Sequence, residues 1–288
     1  MYDKILVPLD GSKIAERVLP YARFLATGLH LPVELMHVKD PETALRVHGA
    51  DYLRKVAASF MNQVNTRCHV EEGAAAAVIV DKASIDSGTV IAMATHGQSG
   101  GQRWLLGRVA QKVLQASVNP LLVIRPNETN LSIDEVKLAT IIVPLDGSQL
   151  AEKIFPHVVY LASGLKLAVV LARTYTLPTA GYFMAAAVSP SDVKDIGERI
   201  KEEATSYLRA KVKELEAHGL EKVSFVLTEG RGPEEIIALA QKSSDNLVAM
   251  SSHGRSGMGR WVLGSVTDRV VSYCGDPVLV IRSTVSEL

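Results

Sequence analysis

Residues 251–265 read SSHGRSGMGRWVLGS, and residues 95–108 read THGQSGGQRWLLGR. Glycines at this density let successive backbone N–H groups turn toward one point, and such a concavity holds an anion. In the later stretch Gly264 and Ser265 open a helix-forming run, so the free N–H groups and positive end of a helix would join the cradle. The Ser265 hydroxyl can donate to a phosphate oxygen or cap its helix, and Arg255 can screen phosphate charge. Gly264 would let backbone approach the phosphate closely. The earlier stretch keeps Gly97 and Gly107 but carries Arg108 where the later one has Ser265. That arginine either salt-bridges a phosphate or fills its place; bulk at Gly107 is then expected to matter less than bulk at Gly264. Neither stretch is a P-loop, since no Lys-Ser/Thr pair follows a glycine, and the spacing of Gly257, Gly259 and Gly264 misses the dinucleotide fingerprint. Asp10 and Asp146 each follow a short apolar run, in ILVPLDGS and IIVPLDGS. Each carboxylate can face a crevice, cap its own turn, or do both. His96 and His253 have no nucleophile beside them and read as hydrogen-bonded structural residues, while Trp104 and Trp261 read as helix-entry packing.

These residues occur in pairs because the chain is a duplication. The 37 residues from Tyr2 align without a gap to those from Leu138, Asp10 falling on Asp146 at an offset of 136. Further on, His96 matches His253 and Pro120 matches Pro277 at an offset of 157, so the second copy has gained 21 residues between Thr174 and Glu229. Each copy alternates short β-branched runs with helical stripes, the pattern of a parallel, doubly wound sheet with right-handed crossovers. Ser12 is placed to cap the first helix, and Pro20 and Pro156 are expected to kink the first helix of each copy without breaking it. In copy two Ile196, Ile200, Ala204, Tyr207, Leu208, Val212 and Leu215 form a helical stripe. In such sheets ligands sit beyond the carboxyl ends of the strands, near the switch in strand order. Both aspartates and both glycine loops fall there, one crevice per copy. The division expected is residues 1–126 for the first domain, 127–136 for a polar linker and 137–284 for the second.

Lys plus Arg and Asp plus Glu number 31 each in 288 residues, so no global field favours nucleic acid or an anionic membrane. No apolar run approaches the ~20 residues of a membrane span. A strand-like run begins at Lys4, leaving no room for a signal peptide, and Cys68 and Cys274 are isolated thiols that suggest neither disulfide nor zinc site. A cytoplasmic location is therefore expected.

Gly254, nine residues, then Gly264-Ser265 resembles the ATP-binding signature of the universal stress proteins, with Ser251 in place of the first glycine. ILVPLDGS, IIVPLDGS, SHGRSG and PVLVIR resemble other blocks of that family, and the likeness covers nearly the whole chain twice, as in its tandem members. It implies two doubly wound α/β domains of the adenosine-nucleotide-binding α-hydrolase-like type, each with strand order 3-2-1-4-5. It implies that Pro144, Asp146 and Thr174 line the adenosine end of the second site. Ser251, Ser252, Gly254, Arg255, Gly264, Ser265 and Val266 would surround ribose and phosphates. In the first copy Asp10, Val38, Gly97 and Gly107 hold the matching positions, but Ala94 and Arg108 depart from the signature, so that site is expected to be degenerate. ATP is the implied cofactor, held in family members with Mg²⁺ or Mn²⁺. The implied function is nucleotide-linked regulation of a protein partner, without catalytic turnover. The rival readings are a slow ATPase or nucleotidyl transferase, and an interaction module that has lost nucleotide. Residues 121–125 are expected to face residues 278–282 across an internal pseudo-two-fold. A homodimer of whole chains would then use another surface, with the extra residues 175–192 a candidate.

Overall fold

The computed structural model describes residues 1–39, 49–60, 64–96, 106–125, 136–177, 190–253 and 263–283. In the first copy β1 (Lys4–Pro8), β2 (Val33–Lys39), β3 (Thr66–Glu72), β4 (Thr89–Ala94) and β5 (Leu121–Ile124) alternate with α1 (Leu19–Leu29), α2 (Gly49–Ala58), α3 (Ala75–Ser84) and α4 (Arg108–Ala116). The second copy repeats them as β6 (Thr140–Pro144), β7 (Ala168–Tyr175), β8 (Val223–Glu229), β9 (Asn246–Ser251) and β10 (Val278–Ile281). Its helices are α5 (Gln149–Glu152), α6 (Phe155–Leu165), α7 (Pro190–Ala217), α8 (Gly232–Ala240) and α9 (Ser265–Tyr273).

All ten strands form one sheet, in the order β3-β2-β1-β4-β5-β10-β9-β6-β7-β8. Each half therefore has the expected order 3-2-1-4-5, read outward-in from opposite edges, with its own strands parallel. The central strands β1, β4, β6 and β9 are apolar on both faces because helices cover both. One face packs Leu25, Leu53, Val158 and Leu208 from α1, α2, α6 and α7. The other packs Ile79, Val113, Ile236 and Val270 from α3, α4, α8 and α9.

The halves join where β5 meets β10, antiparallel, with Val123 opposite Val278 and Leu122 opposite Leu279. The strand contact expected from the family resemblance and from the apolar character of these strands is thus present. An apolar edge strand left bare would invite pairing with another chain, and here each copy covers the other's. The pseudo-symmetry extends to the helices: Gly28 of α1 lies hard against the Leu165 side chain of α6, and Gly164 lies hard against Leu29. Symmetry fails at the amino terminus, where the Tyr2 hydroxyl bonds His157 Nδ1 of α6 at 2.7 Å and the Tyr2 ring meets Tyr160 edge-on.

The prolines behave differently from expectation. Ala15–Val18 is a 3-10 turn, and α1 starts afresh at Leu19 with Pro20 in its first turn. In copy two α5 ends at Glu152, and α6 starts at Phe155 with Pro156 in the same place. There is a break, with no kink, because the first helical turn is where a missing N–H and a fixed φ cost nothing. The 21 added residues fall around α7, which has 28 residues where α2 has 10. Its expected stripe is inward: Ala204, Leu208 and Leu215 are buried.

Candidate functional site

Each β1-type strand ends in an Asp-Gly-Ser turn. Asp10 Oδ1 accepts from the Ser12 N–H and Asp146 Oδ1 from the Ser148 N–H, both at 2.9 Å, while Gly11 and Gly147 both take φ 86°. The left-handed φ explains the glycine between Asp and Ser. The serine then caps the next helical turn: Ser12 Oγ accepts from Ala15 N–H, and Ser148 Oγ from Ala151 N–H. The turn-capping role expected of the aspartates is therefore present, and the same turns set both carboxyl groups at the strand ends.

Across the switch in strand order, α9 begins at Ser265 with Gly264 as N-cap and no side-chain cap, and α4 begins at Arg108 with Gly107 in the same role. An uncapped helix start presents N–H groups and a positive dipole end. The glycines serve the packing of these starts. Gly264 N–H bonds Ser252 O at 2.9 Å and Gly107 N–H bonds Thr95 O at 2.8 Å. A Cβ on either would stand 2.8 Å from that same carbonyl oxygen. Gly107 is thus as constrained by packing as Gly264, whereas the expectation that bulk at Gly107 matters less concerns ligand binding. φ is −60° at both, so the constraint is close approach and not strain.

The second crevice has a volume of about 590 Å³. Pro144, Asp146, Thr174, Ser251, Gly264, Ser265 and Val266 all line it, as the sequence leads one to expect. Ser252 does not. It is buried, its hydroxyl bonding His253 Nδ1 at 2.9 Å and accepting from Ser283 N–H at 3.2 Å, at the root of the loop. Gly254, Arg255, Gly97, Trp104 and Trp261 lie outside the described residues. The first crevice has only about 120 Å³ and is lined by Asp10, Val38 and Gly107, with Met36 where the second has Ala172 and Arg108 where it has Ser265. The histidines hold structural bonds, His96 Nδ1 to the Thr95 hydroxyl at 2.8 Å, in parallel with His253. Cys68 is exposed, and burial pushes the Cys274 thiol up to about 11.

Sequence reasoning missed one wall. Ile200, Glu203 and Ala204 of α7 line the second crevice together with Arg173. Arg173 lies over the Tyr207 ring at 4.8 Å; the Tyr207 hydroxyl donates to Glu152 Oε1 at 2.8 Å, and Lys211 bonds Glu152 Oε2 at 2.8 Å. These bonds tie α7 to α5, and burial first, then Glu152, with a smaller part from the Asp146 charge, raise the Tyr207 pKa. The helical stripe was legible, but its register over the crevice was not, because the added residues have no counterpart in copy one.

A family model described as the universal stress protein family matches residues 1–125 and 138–282. The chain belongs to that family. A universal stress protein of Methanocaldococcus jannaschii is 29% identical over 147 residues, 51% of this chain and 84% of the relative. One from Mycolicibacterium smegmatis is 23% identical across 96% of both chains. Among solved structures, a universal stress protein from Archaeoglobus fulgidus superposes with a TM-score of 0.70 at 17% identity, covering 98% of this chain and 97% of its own. A functionally unknown protein from Pseudomonas aeruginosa gives 0.69 at 15%, covering 98% and 93%. At such identities the structural likeness speaks for the tandem fold. Among the described residues of this family member, no helix is long and apolar enough to cross a membrane.

Proposed function

We propose that the second crevice binds an adenine nucleotide, and that this universal stress protein acts by changing its conformation or protein partner when it does so. One observation carries the reading: a crevice of about 590 Å³ runs from Asp146 and Thr174 to the uncapped start of α9 at Ser265. In this reading the adenosine lies at the first end and the phosphates meet the helix N–H groups and the Ser265 hydroxyl at the other. No group of three His, Cys, Asp or Glu side chains suited to a metal ion occurs among the described residues. A Mg²⁺ would then be carried by the phosphates and would offset their charge. The chain's own residues bind and orient; among the described residues Ser252, whose hydroxyl bonds His253 Nδ1, is buried and does not line the crevice, so that pair is not set against a bound ligand, which favours regulation over turnover.

Stripped of ligand, the protein should gain ~2.7 kcal/mol of stability when Mg·ATP is present at a hundredfold excess over Kd. Ser265→Arg, which installs the first copy's residue, should remove that gain while leaving the ligand-free melting temperature nearly unchanged. No thermal shift with millimolar Mg·ATP would end the nucleotide reading, and sustained phosphate release above the buffer rate would make the protein a hydrolase.

A further inference from the structure

Two side chains of opposite charge line the second crevice from different elements, Arg173 from β7 and Glu203 from α7. Among the described residues neither makes a hydrogen bond or an ion pair, with the other or with anything else. Arg173 is half-buried, and its guanidinium lies over the Tyr207 ring at 4.8 Å. The ring holds the plane of the guanidinium and uses none of its N–H donors. Tyr207 is in turn held by its bond to Glu152 Oε1 at 2.8 Å. Glu203 lies one turn before Tyr207 on α7, between Ile200 and Ala204 of the same wall. Copy one differs at this place. His37 has the position of Arg173, is buried, and donates from Nδ1 to the Leu9 carbonyl at 2.8 Å, so its polar group is already satisfied within the protein.

Strand order decides which part of a ligand meets the pair. The helix start at Ser265 stands beyond β9, Asp146 follows β6, Thr174 belongs to β7, and α7 packs over β7 and β8, while the strands run β9-β6-β7-β8. A nucleotide with its phosphates at α9 and its ribose near Asp146 therefore carries its base to Arg173 and Glu203. The charges agree with that end. Beside the phosphates Glu203 would repel the ligand, whereas at the uncharged base the two opposite charges leave the field balanced.

We infer that Arg173 and Glu203 together read the base, the guanidinium donating to a ring nitrogen and the carboxylate accepting from the exocyclic amine beside it. Adenine presents that acceptor and donor side by side. Hypoxanthine puts a carbonyl oxygen in the place of the amine, where it would face the carboxylate lone pair to lone pair. The pair thus selects adenine over hypoxanthine in ligands alike in sugar and phosphates. This rests on the nucleotide reading of the second crevice and adds which residues choose the base.

The test titrates the full chain, stripped of ligand, with Mg·ATP and with Mg·ITP by calorimetry; the two nucleotides differ only in the base. ATP should bind about tenfold more tightly or better. Glu203→Gln presents an amide that can donate to the carbonyl oxygen as readily as it accepts from the amine, so the two affinities should come within about threefold of each other. Arg173→Met keeps an unbranched apolar stem for the Tyr207 ring and loses the donors; it should weaken ATP about tenfold, and its ligand-free melting curve checks that it folds. Glu202→Gln removes the same charge one residue away, at an exposed position outside the crevice lining, and should keep the parent's preference. If neither nucleotide binds the parent, the nucleotide reading falls and the base-reading pair falls with it. If ATP binds and ITP binds equally well, the pair is overturned while the nucleotide reading stands. The pair is likewise overturned by a preference that survives Glu203→Gln, by an Arg173→Met variant that binds ATP like the parent, or by a Glu202→Gln variant that shifts the ratio as far as Glu203→Gln does.

Discussion

Alanine at the two helix starts separates a ligand role from a packing role for Gly107 and Gly264. Each would carry a Cβ 2.8 Å from a backbone carbonyl oxygen, Thr95 O in one copy and Ser252 O in the other. The oxygen cannot rotate away, since it already accepts the N–H of the same glycine at 2.8 and 2.9 Å respectively. Relief requires the turn to open by some tenths of an ångström, stretching that bond and lifting the helix start from the strand end. Strain together with a weakened bond costs about 1–3 kcal/mol. At roughly 2–4 °C per kcal/mol for chains of this size, each single variant should melt some 2–12 °C lower in ligand-free buffer. The two losses should match within about 0.5 kcal/mol, because the two geometries match. Differential scanning calorimetry measures them, with nucleotide affinity taken separately. The reasoning fails if Gly107→Ala melts like the parent while Gly264→Ala loses nucleotide at an unchanged melting temperature. That pattern would mean that glycine is there for the ligand.

Asp276 occupies the position of Asn119, whose Nδ2 donates to the carbonyls of Asp86 and Thr89 at 3.0 and 3.1 Å. Burial, helped by the Asp245 charge, raises the Asp276 carboxyl to about 7, so the folded chain holds a proton that the unfolded chain releases near pH 4. Stability should fall as pH rises through that window, and Asp276→Asn should raise the melting temperature at pH 8 but little at pH 4; parallel curves for both proteins would refute this. Tyr2→Phe removes the hydroxyl that bonds His157 Nδ1 between the copies and should cost about 1 kcal/mol in urea unfolding, whereas an unchanged midpoint would deny that bond any net value. Val280→Glu puts a charge at a position only 4% exposed on the β5–β10 seam; small-angle scattering should show the halves separating or the chain associating, and a profile identical to the parent's would contradict the seam.

The duplication was legible from repetition and the doubly wound parallel sheet from the alternation of elements, whereas the strand order and the seam came from the resemblance to the universal stress proteins. The lining residues Asp146 and Ser265 were legible because strand ends and helix starts are where a parallel sheet gathers its loops, and Thr174 came from the resemblance. Other features lay beyond local patterns. Pro20 looks like a mid-helix residue only if the preceding turn is counted as α-helix, and a 3-10 turn has much the same apolar spacing over four residues. The spacing marks Gly264 as a glycine of the cradle, and only the fold shows that the Ser252 carbonyl stands against it as well. Arg173 lies beside Thr174 in sequence, yet only Tyr207, 34 residues on, turns it into part of a wall.

The β5–β10 seam has a consequence for how the copies can diverge. Covalent linkage holds each half near the other at an effective concentration of order millimolar, so assembly does not depend on how much protein the cell makes. A mutation in one half of such a chain is also not mirrored in the other, as it must be in a dimer of identical subunits. Arg108 can therefore stand opposite a retained Ser265. Symmetric assembly bears on β5, β10, α1 and α6, which meet between the halves, and each crevice is left free to diverge.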